Sequence, residues 1–133
     1  MRNVVKLKTL LILILFIIIS GCTFSNKEAE DLNTLALQKS DSEAVLLLNK
    51  AIEIDTNSAS YFYNRASAKY NMMNFNGAVK DCKEAIRLCK DCYKTFALSG
   101  CIYLDSGDGL NGANSLTNYL HSSYGLKISY FCL

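Results

Sequence analysis

Residues 59–92 read ASYFYNRASAKYNMMNFNGAVKDCKEAIRLCKDC. In the second half, Phe75, Ala78, Val79, Cys82, Ala85, Ile86 and Cys89 fall at steps of three and four, which draws one continuous apolar stripe along a helix. The same pattern stands one interval earlier in Ala44, Val45, Leu48, Ala51 and Ile52. Ala44, Ala51 and Ile52 recur 34 residues on as Ala78, Ala85 and Ile86, and Phe62 and Ala66 recur as Phe96 and Gly100. Asn76-Gly77-Ala78 returns as Asn111-Gly112-Ala113 at an interval of 35, which implies one inserted residue in the last copy. Self-similarity at this period marks a stack of helical hairpins, each too small to bury its own stripe.

Composition agrees. Half of the 133 residues are hydrophobic, with no proline, no tryptophan and seven glycines, a balance that favours helices over a turn-rich β-sandwich. The formal charge of +2 includes Arg2, Lys6 and Lys8 of a basic leader. Without them cations and anions nearly balance, so no basic footprint for nucleic acid remains. His121 is the single histidine, which excludes every catalytic or metal constellation that needs two.

The first 22 residues have a separate logic. A cationic start precedes ten apolar residues, Leu10–Ile19, about half of what a spanning helix needs. That pattern is a secretory signal, and residues 1–21 are expected to be removed. Ile19-Ser20-Gly21-Cys22 resembles the lipobox of bacterial lipoproteins, which implies a diacylglyceryl group and an N-acyl chain on Cys22. The expected location is the bacterial cell envelope, the outer membrane in a Gram-negative cell. Residues 22–26 would then be a short lipidated tether.

The repeat stretch resembles the tetratricopeptide repeat. In residues 59–92, Phe62 takes the large aromatic position of the first helix and Ala66 the small one; Phe75 takes the turn aromatic, and Ala78, Cys82 and Ala85 the small–large–small series of the second helix. The copy at about 27–58 places Leu32 and Leu35 on its first helix and closes with Ala-Ile-Glu-Ile-Asp, with Thr56 where proline is common. The copy at 93–121 keeps Phe96, Gly100, Tyr103 and Gly107-Asp108, and the inserted residue puts Leu120 at the later small position. The expected fold is all-α, a right-handed α-solenoid of about three such hairpins over 27–121, with 122–133 as a C-terminal capping segment. Ser40 and Glu43 stand at capping-box spacing before the stripe at Ala44.

The resemblance implies a protein or peptide partner held in the groove lined by first helices. Carried over by position, the groove residues are Ser60, Tyr63, Asn64, Ser67, Tyr70 and Asn71, with Lys94 in the next copy beside Ala97, Cys101 and Asp105. Any one of them could equally be an ordinary solvated helix position. Tyr63 and Ser67 occupy the positions where some relatives carry a lysine–asparagine clamp for a C-terminal carboxylate, so that clamp is not implied. Cys89-x-x-Cys92 admits three readings. Packing thiols are expected first, because Cys82 and Cys89 lie on the stripe; a disulfide comes second, and a metal or redox site third. No catalytic residue, metal or dissociable cofactor is expected. The function expected is a membrane-anchored interaction scaffold. The alternatives are an envelope module for peptide or glycan, and a shortened paralogue with little role of its own.

Overall fold

A computed structural model describes residues 27–89 and 92–121. The leader, Cys22, the tether at 22–26 and the segment 122–133 lie outside the described residues. Among the described residues there are six helices and no strand. α1 is helical over 27–36, followed by α2 (Asp41–Ile54), α3 (Ala59–Asn71), α4 (Phe75–Leu88), α5 (Tyr93–Asp105) and α6 (Gly109–His121). They form three antiparallel hairpins stacked in chain order. α3 packs most extensively on α4 and α5 on α6, while α2 against α3 and α4 against α5 join one hairpin to the next. None of these helices is long and apolar enough to cross a membrane.

Small residues set the close approach of the helices. Ala66, Ala78, Cys82 and Ala85 are fully buried. Ala66, Ala78 and Cys82 form one core with Ile102 of α5, flanked by Tyr70, Phe75, Val79 and Leu98. A second core joins Ala29 and Ala36 of α1, Ala44, Leu48 and Ala51 of α2, and Tyr61 and Ala68 of α3. On α4, Phe75, Ala78, Val79 and Cys82 of the stripe therefore pack into the core shared with α3 and α5. Leu35 differs: it points outward and is 41 % exposed.

The turns within hairpins follow one design. Asn74 precedes α4, and its side-chain oxygen accepts from the Gly77 N–H at 3.0 Å. Asp108 precedes α6 and accepts from the Asn111 N–H at 3.2 Å. Each is preceded by a residue at positive φ, Met73 at 59° and Gly107 at 83°. Asn74 N–H donates to the Lys69 carbonyl and Asp108 N–H to the Tyr103 carbonyl, both at 2.8 Å. Every one of these pairs is 34 residues apart. The expected insertion in the third copy is thus absent: Gly112, not Ala113, occupies the position of Ala78, and Tyr119, not Leu120, that of Ala85. Gly112 and Tyr119 are buried, whereas Ala113 and Leu120 are exposed. The repeated Asn-Gly-Ala string misleads because its members sit one place further along α6.

Two local expectations also change. At α2 the Ser40 hydroxyl meets the Glu43 carboxylate at 3.2 Å instead of capping a backbone N–H, so the capping box is incomplete. Cys89 and Cys92 form a disulfide with Cα atoms 5.5 Å apart, so the second reading of the C-x-x-C replaces the first. The reason is that α4 ends at Leu88; Cys89 is extended at φ −138°, ψ 99° and leaves the stripe only half-buried. Cys82 remains a buried packing thiol, and burial, with Asp81 beside it, pushes its pKa up to about 12.

Candidate functional site

α3 and α5 lie side by side as first helices of successive hairpins, and a cleft of about 590 Å³ opens between them. Tyr63, Ser67, Tyr70 and Asn71 project from α3 at steps of four, three and one, all on one helical face. Tyr93, Lys94, Ala97, Leu98 and Cys101 face them from α5, and Tyr119 enters from α6. A second hollow of about 430 Å³ continues past Tyr70 and Asn71 to Met73, Phe75 and Asp105. Tyr70 links the two. Its hydroxyl donates to the Asp105 carboxylate across the hairpin boundary, and its ring lies 6.1 Å from that of Phe75, tilted by 48°.

Of the groove residues read from the sequence, Tyr63, Ser67, Tyr70, Asn71 and Lys94 come together in this cleft, with Ala97 and Cys101. Asp105 lies in the adjoining hollow. Ser60 and Asn64 do not line the cleft. Ser60 is exposed on the first turn of α3, with its hydroxyl 2.9 Å from that of Ser58. Asn64 turns back to α1, donating to Asn33 Oδ1 at 2.8 Å, and beside it the Tyr61 hydroxyl donates to Glu30 at 3.2 Å. These two bonds seam the first hairpin to the second. Asn71 is also engaged, donating to Asp41 at 3.0 Å.

Tyr93, Leu98 and Tyr119 are the lining residues that the sequence reading passed over. A strict 34-residue register was the available signal for Tyr119, since it puts a large ring where copy two has Ala85. Two glycines of the same hairpin make room for leucines. A Cβ on Gly100 would sit 2.8 Å from Leu116 Cδ2, and one on Gly112 2.9 Å from Leu104 Cδ2. The α5–α6 hairpin therefore exchanges two alanine positions for glycines, with Leu116 and Leu104 in the space, and buries one aromatic side chain, Tyr119, at the place of Ala85.

The cleft is aromatic and largely uncharged. Burial, with Cys82 and Tyr93 adding to it, raises the Tyr63 phenol above its ordinary range. That hydroxyl stays neutral at physiological pH, able both to donate and to accept. Lys94, exposed at the rim, is the one cation among the lining residues. Such a surface can hydrogen-bond a peptide backbone and cover apolar side chains with ring faces. Among the described residues no group of three or more His, Cys, Asp and Glu side chains could hold a metal ion.

Behind the cleft runs a polar tie that the sequence reading missed. Asp81 of α4, 4 % exposed, accepts from Arg65 Nε at 2.9 Å and Nη2 at 2.7 Å. Lys69 Nζ lies 2.7 Å away on the same carboxylate. Arg65 Nη1 continues to Asn49 of α2 at 2.8 Å, and its guanidinium stacks 5.4 Å over the Phe62 ring. Asp81 thus ties the face of α3 opposite the cleft to α4, and Arg65 ties the same face to α2.

No protein-family profile and no curated protein matches the chain. Solved structures do. The first tetratricopeptide domain of Spaghetti (RPAP3), determined bound to the HSP90 peptide SRMEEVD, superposes with a TM-score of 0.71 at 21 % identity, covering 80 % of this chain and 84 % of that one. The N-terminal domain of stress-induced protein-1 from C. elegans gives 0.67 at 19 % identity, covering 80 % and 92 %. MamA gives 0.69 at 20 % identity over 71 % of this chain, which spans 58 % of MamA. The fold is therefore the tetratricopeptide-repeat solenoid.

Proposed function

We propose that this chain is a lipid-anchored interaction module of a bacterial cell envelope, which holds a protein or peptide in the α3–α5 cleft. The observation that carries the reading is the aromatic, nearly uncharged lining between first helices, with Tyr63, Tyr70 and Tyr93 facing one opening. Support comes from the fold: RPAP3 domains of the same architecture are solved with the peptide SRMEEVD. The cleft positions Tyr63 and Ser67 would favour backbone and apolar recognition over a carboxylate clamp. The anchor is the second part of the proposal and rests on the signal pattern ending at Cys22. Two or more acyl chains there would hold far more firmly than one, at about 0.8 kcal/mol per buried CH₂. Thr23, Phe24, Ser25 and Asn26 stand between Cys22 and Lys27, the first described residue, and four residues reach at most about 14 Å. The partner is therefore membrane-embedded or membrane-apposed.

The anchor is tested by labelling cells with a fatty-acid analogue. Wild type should be marked and Cys22→Ser should not. Equal labelling of both would remove the anchor from the account and leave the cleft to be judged separately.

A further inference from the structure

Two first helices end at the smaller hollow. Asn71 closes α3 and Asp105 closes α5, and both line the hollow with Tyr70, Met73 and Phe75. The carbonyl end of a helix carries partial negative charge, which a basic residue in the last turn offsets. α5 has no basic residue there. α3 has Lys69, but its ammonium is held on Asp81. α4 starts beside the hollow, and the Asn74 side chain already caps its first turn. The Asp105 carboxylate adds a full negative charge in an exposed position. Tyr70 takes one of its roughly four acceptor sites. No lysine, arginine or histidine is among the residues that line the hollow.

Beside that charge stand surfaces that suit a flat cation. The Tyr70 and Phe75 rings, 6.1 Å apart and tilted by 48°, make an aromatic corner. Met73 adds its thioether and is 74 % exposed. Its backbone is left-handed at φ 59°, a conformation that side chains disfavour, and its counterpart one interval on is Gly107 at 83°. Glycine alone would serve the turn; the exposed methionine gives the hollow a polarizable, adaptable wall. The molecule already holds one guanidinium between the same two kinds of group. Arg65 donates to the Asp81 carboxylate through Nε and Nη2 and lies 5.4 Å over the Phe62 ring.

We propose that the hollow of about 430 Å³ receives an arginine side chain of the peptide or protein segment whose backbone lies in the α3–α5 cleft; this rests on the function proposed above. The guanidinium pairs with Asp105 and lays its plane against the Tyr70–Phe75 corner, within about 6 Å of a ring centroid. A lysine would bring the charge without the flat face or the fork that fits a carboxylate. Ala97, which lines the cleft, and Asp105 are eight residues apart on α5, a rise of about 12 Å. An extended chain covers that distance in about three or four residues. The partner segment therefore carries an apolar residue, for the cleft, about three or four positions from the arginine.

Selection of random peptides displayed on phage, against the full chain in mild detergent, tests this. The recovered sequences should share an arginine at that spacing from an apolar residue. Selection against Asp105→Lys should recover aspartate or glutamate in its place. Enrichment without arginine, or with lysine equally often, would overturn the arginine site and leave the cleft standing. No enrichment of any sequence would overturn both. A recovered peptide is then measured with its arginine replaced by citrulline, which keeps the shape and removes the charge. That replacement and Asp105→Asn, with helicity unchanged, should each weaken binding about tenfold. Combined, they should weaken it by no more than about tenfold, because both remove the same contact. A loss of about a hundredfold for the combination would place the arginine elsewhere and overturn the proposal, as would undiminished binding by either change.

Discussion

Asp81 shows how much a single side chain can carry in so small an array. Its carboxylate accepts from both Arg65 and Lys69 inside the hairpin, and the cations keep only 16 % and 19 % of their side-chain surface exposed. Removing one partner of a buried ion pair strands the other, so Asp81→Ala should lower unfolding free energy by about 3 kcal/mol. Chemical denaturation would show this, and a loss under about 1 kcal/mol would mean that the cations find solvent easily. Nothing in the sequence distinguishes Asp81 from its solvated neighbours except its spacing, three residues after Ala78 and four before Ala85. Cys82, next to it, is legible as a packing residue because it lies in mid-stripe. Its pKa rises from 9.0 to about 12 through burial, with Asp81 adding to the shift. The neutral thiol's contribution is fully present below pH 9 and is lost as pH climbs toward 12. Above pH 9 this group alone should lower stability by about 1.4 kcal/mol per pH unit. Cys82→Ala should flatten the slope between pH 9 and 10.5 by that amount; an unchanged slope would refute the assignment. The phenols of Tyr61 and Tyr63 are also raised above 10.0, and they steepen the decline at still higher pH in both proteins.

At the scale of the element, the α3–α4 hairpin was the most legible part of the chain. Its stripe has the helical period, and small residues recur where the helices approach. Ala85 is fully buried, so Ala85→Leu should overpack the hairpin at a cost of about 1–3 kcal/mol. Circular dichroism melts check this, and an unchanged melting temperature would contradict the packing derived for α4. The α5–α6 hairpin was less legible. Its close approach uses Gly100 and Gly112 against Leu116 and Leu104, with Tyr119 in the register position of Ala85, and that exchange of volumes hides the small–large–small signature. A three-residue match at 35 then outweighed the turn. The turn shows its register only through backbone bonds from Asn74 and Asp108 and through positive φ at Met73 and Gly107. The Cys89–Cys92 disulfide was obscured for a related reason: Cys89 continues the apolar spacing although the helix stops one residue before it.

Across the whole molecule, the groove followed from periodicity because first helices align their faces once the hairpins stack. Tyr63, Ser67, Tyr70, Asn71 and Lys94 meet in it for that reason. Asn64 was misplaced because its amide bonds Asn33 two turns into the preceding hairpin, a contact that depends on how the hairpins seat together. Tyr119 was missed because it comes from a second helix, outside the rule that first helices line the groove. The proposed anchor and cleft together describe a module held within about 14 Å of the lipid surface. The most direct measurement is recovery of envelope proteins with the membrane-bound chain, comparing wild type with Tyr63→Ala/Tyr70→Ala and with Ser60→Ala as a control outside the cleft. The account predicts one set of proteins retained by wild type and by Ser60→Ala, and reduced about tenfold or more by the double variant, which removes two aromatic anchors from the centre of the lining. Undiminished recovery by the double variant, with helicity intact, would contradict the assignment of the cleft as the binding surface.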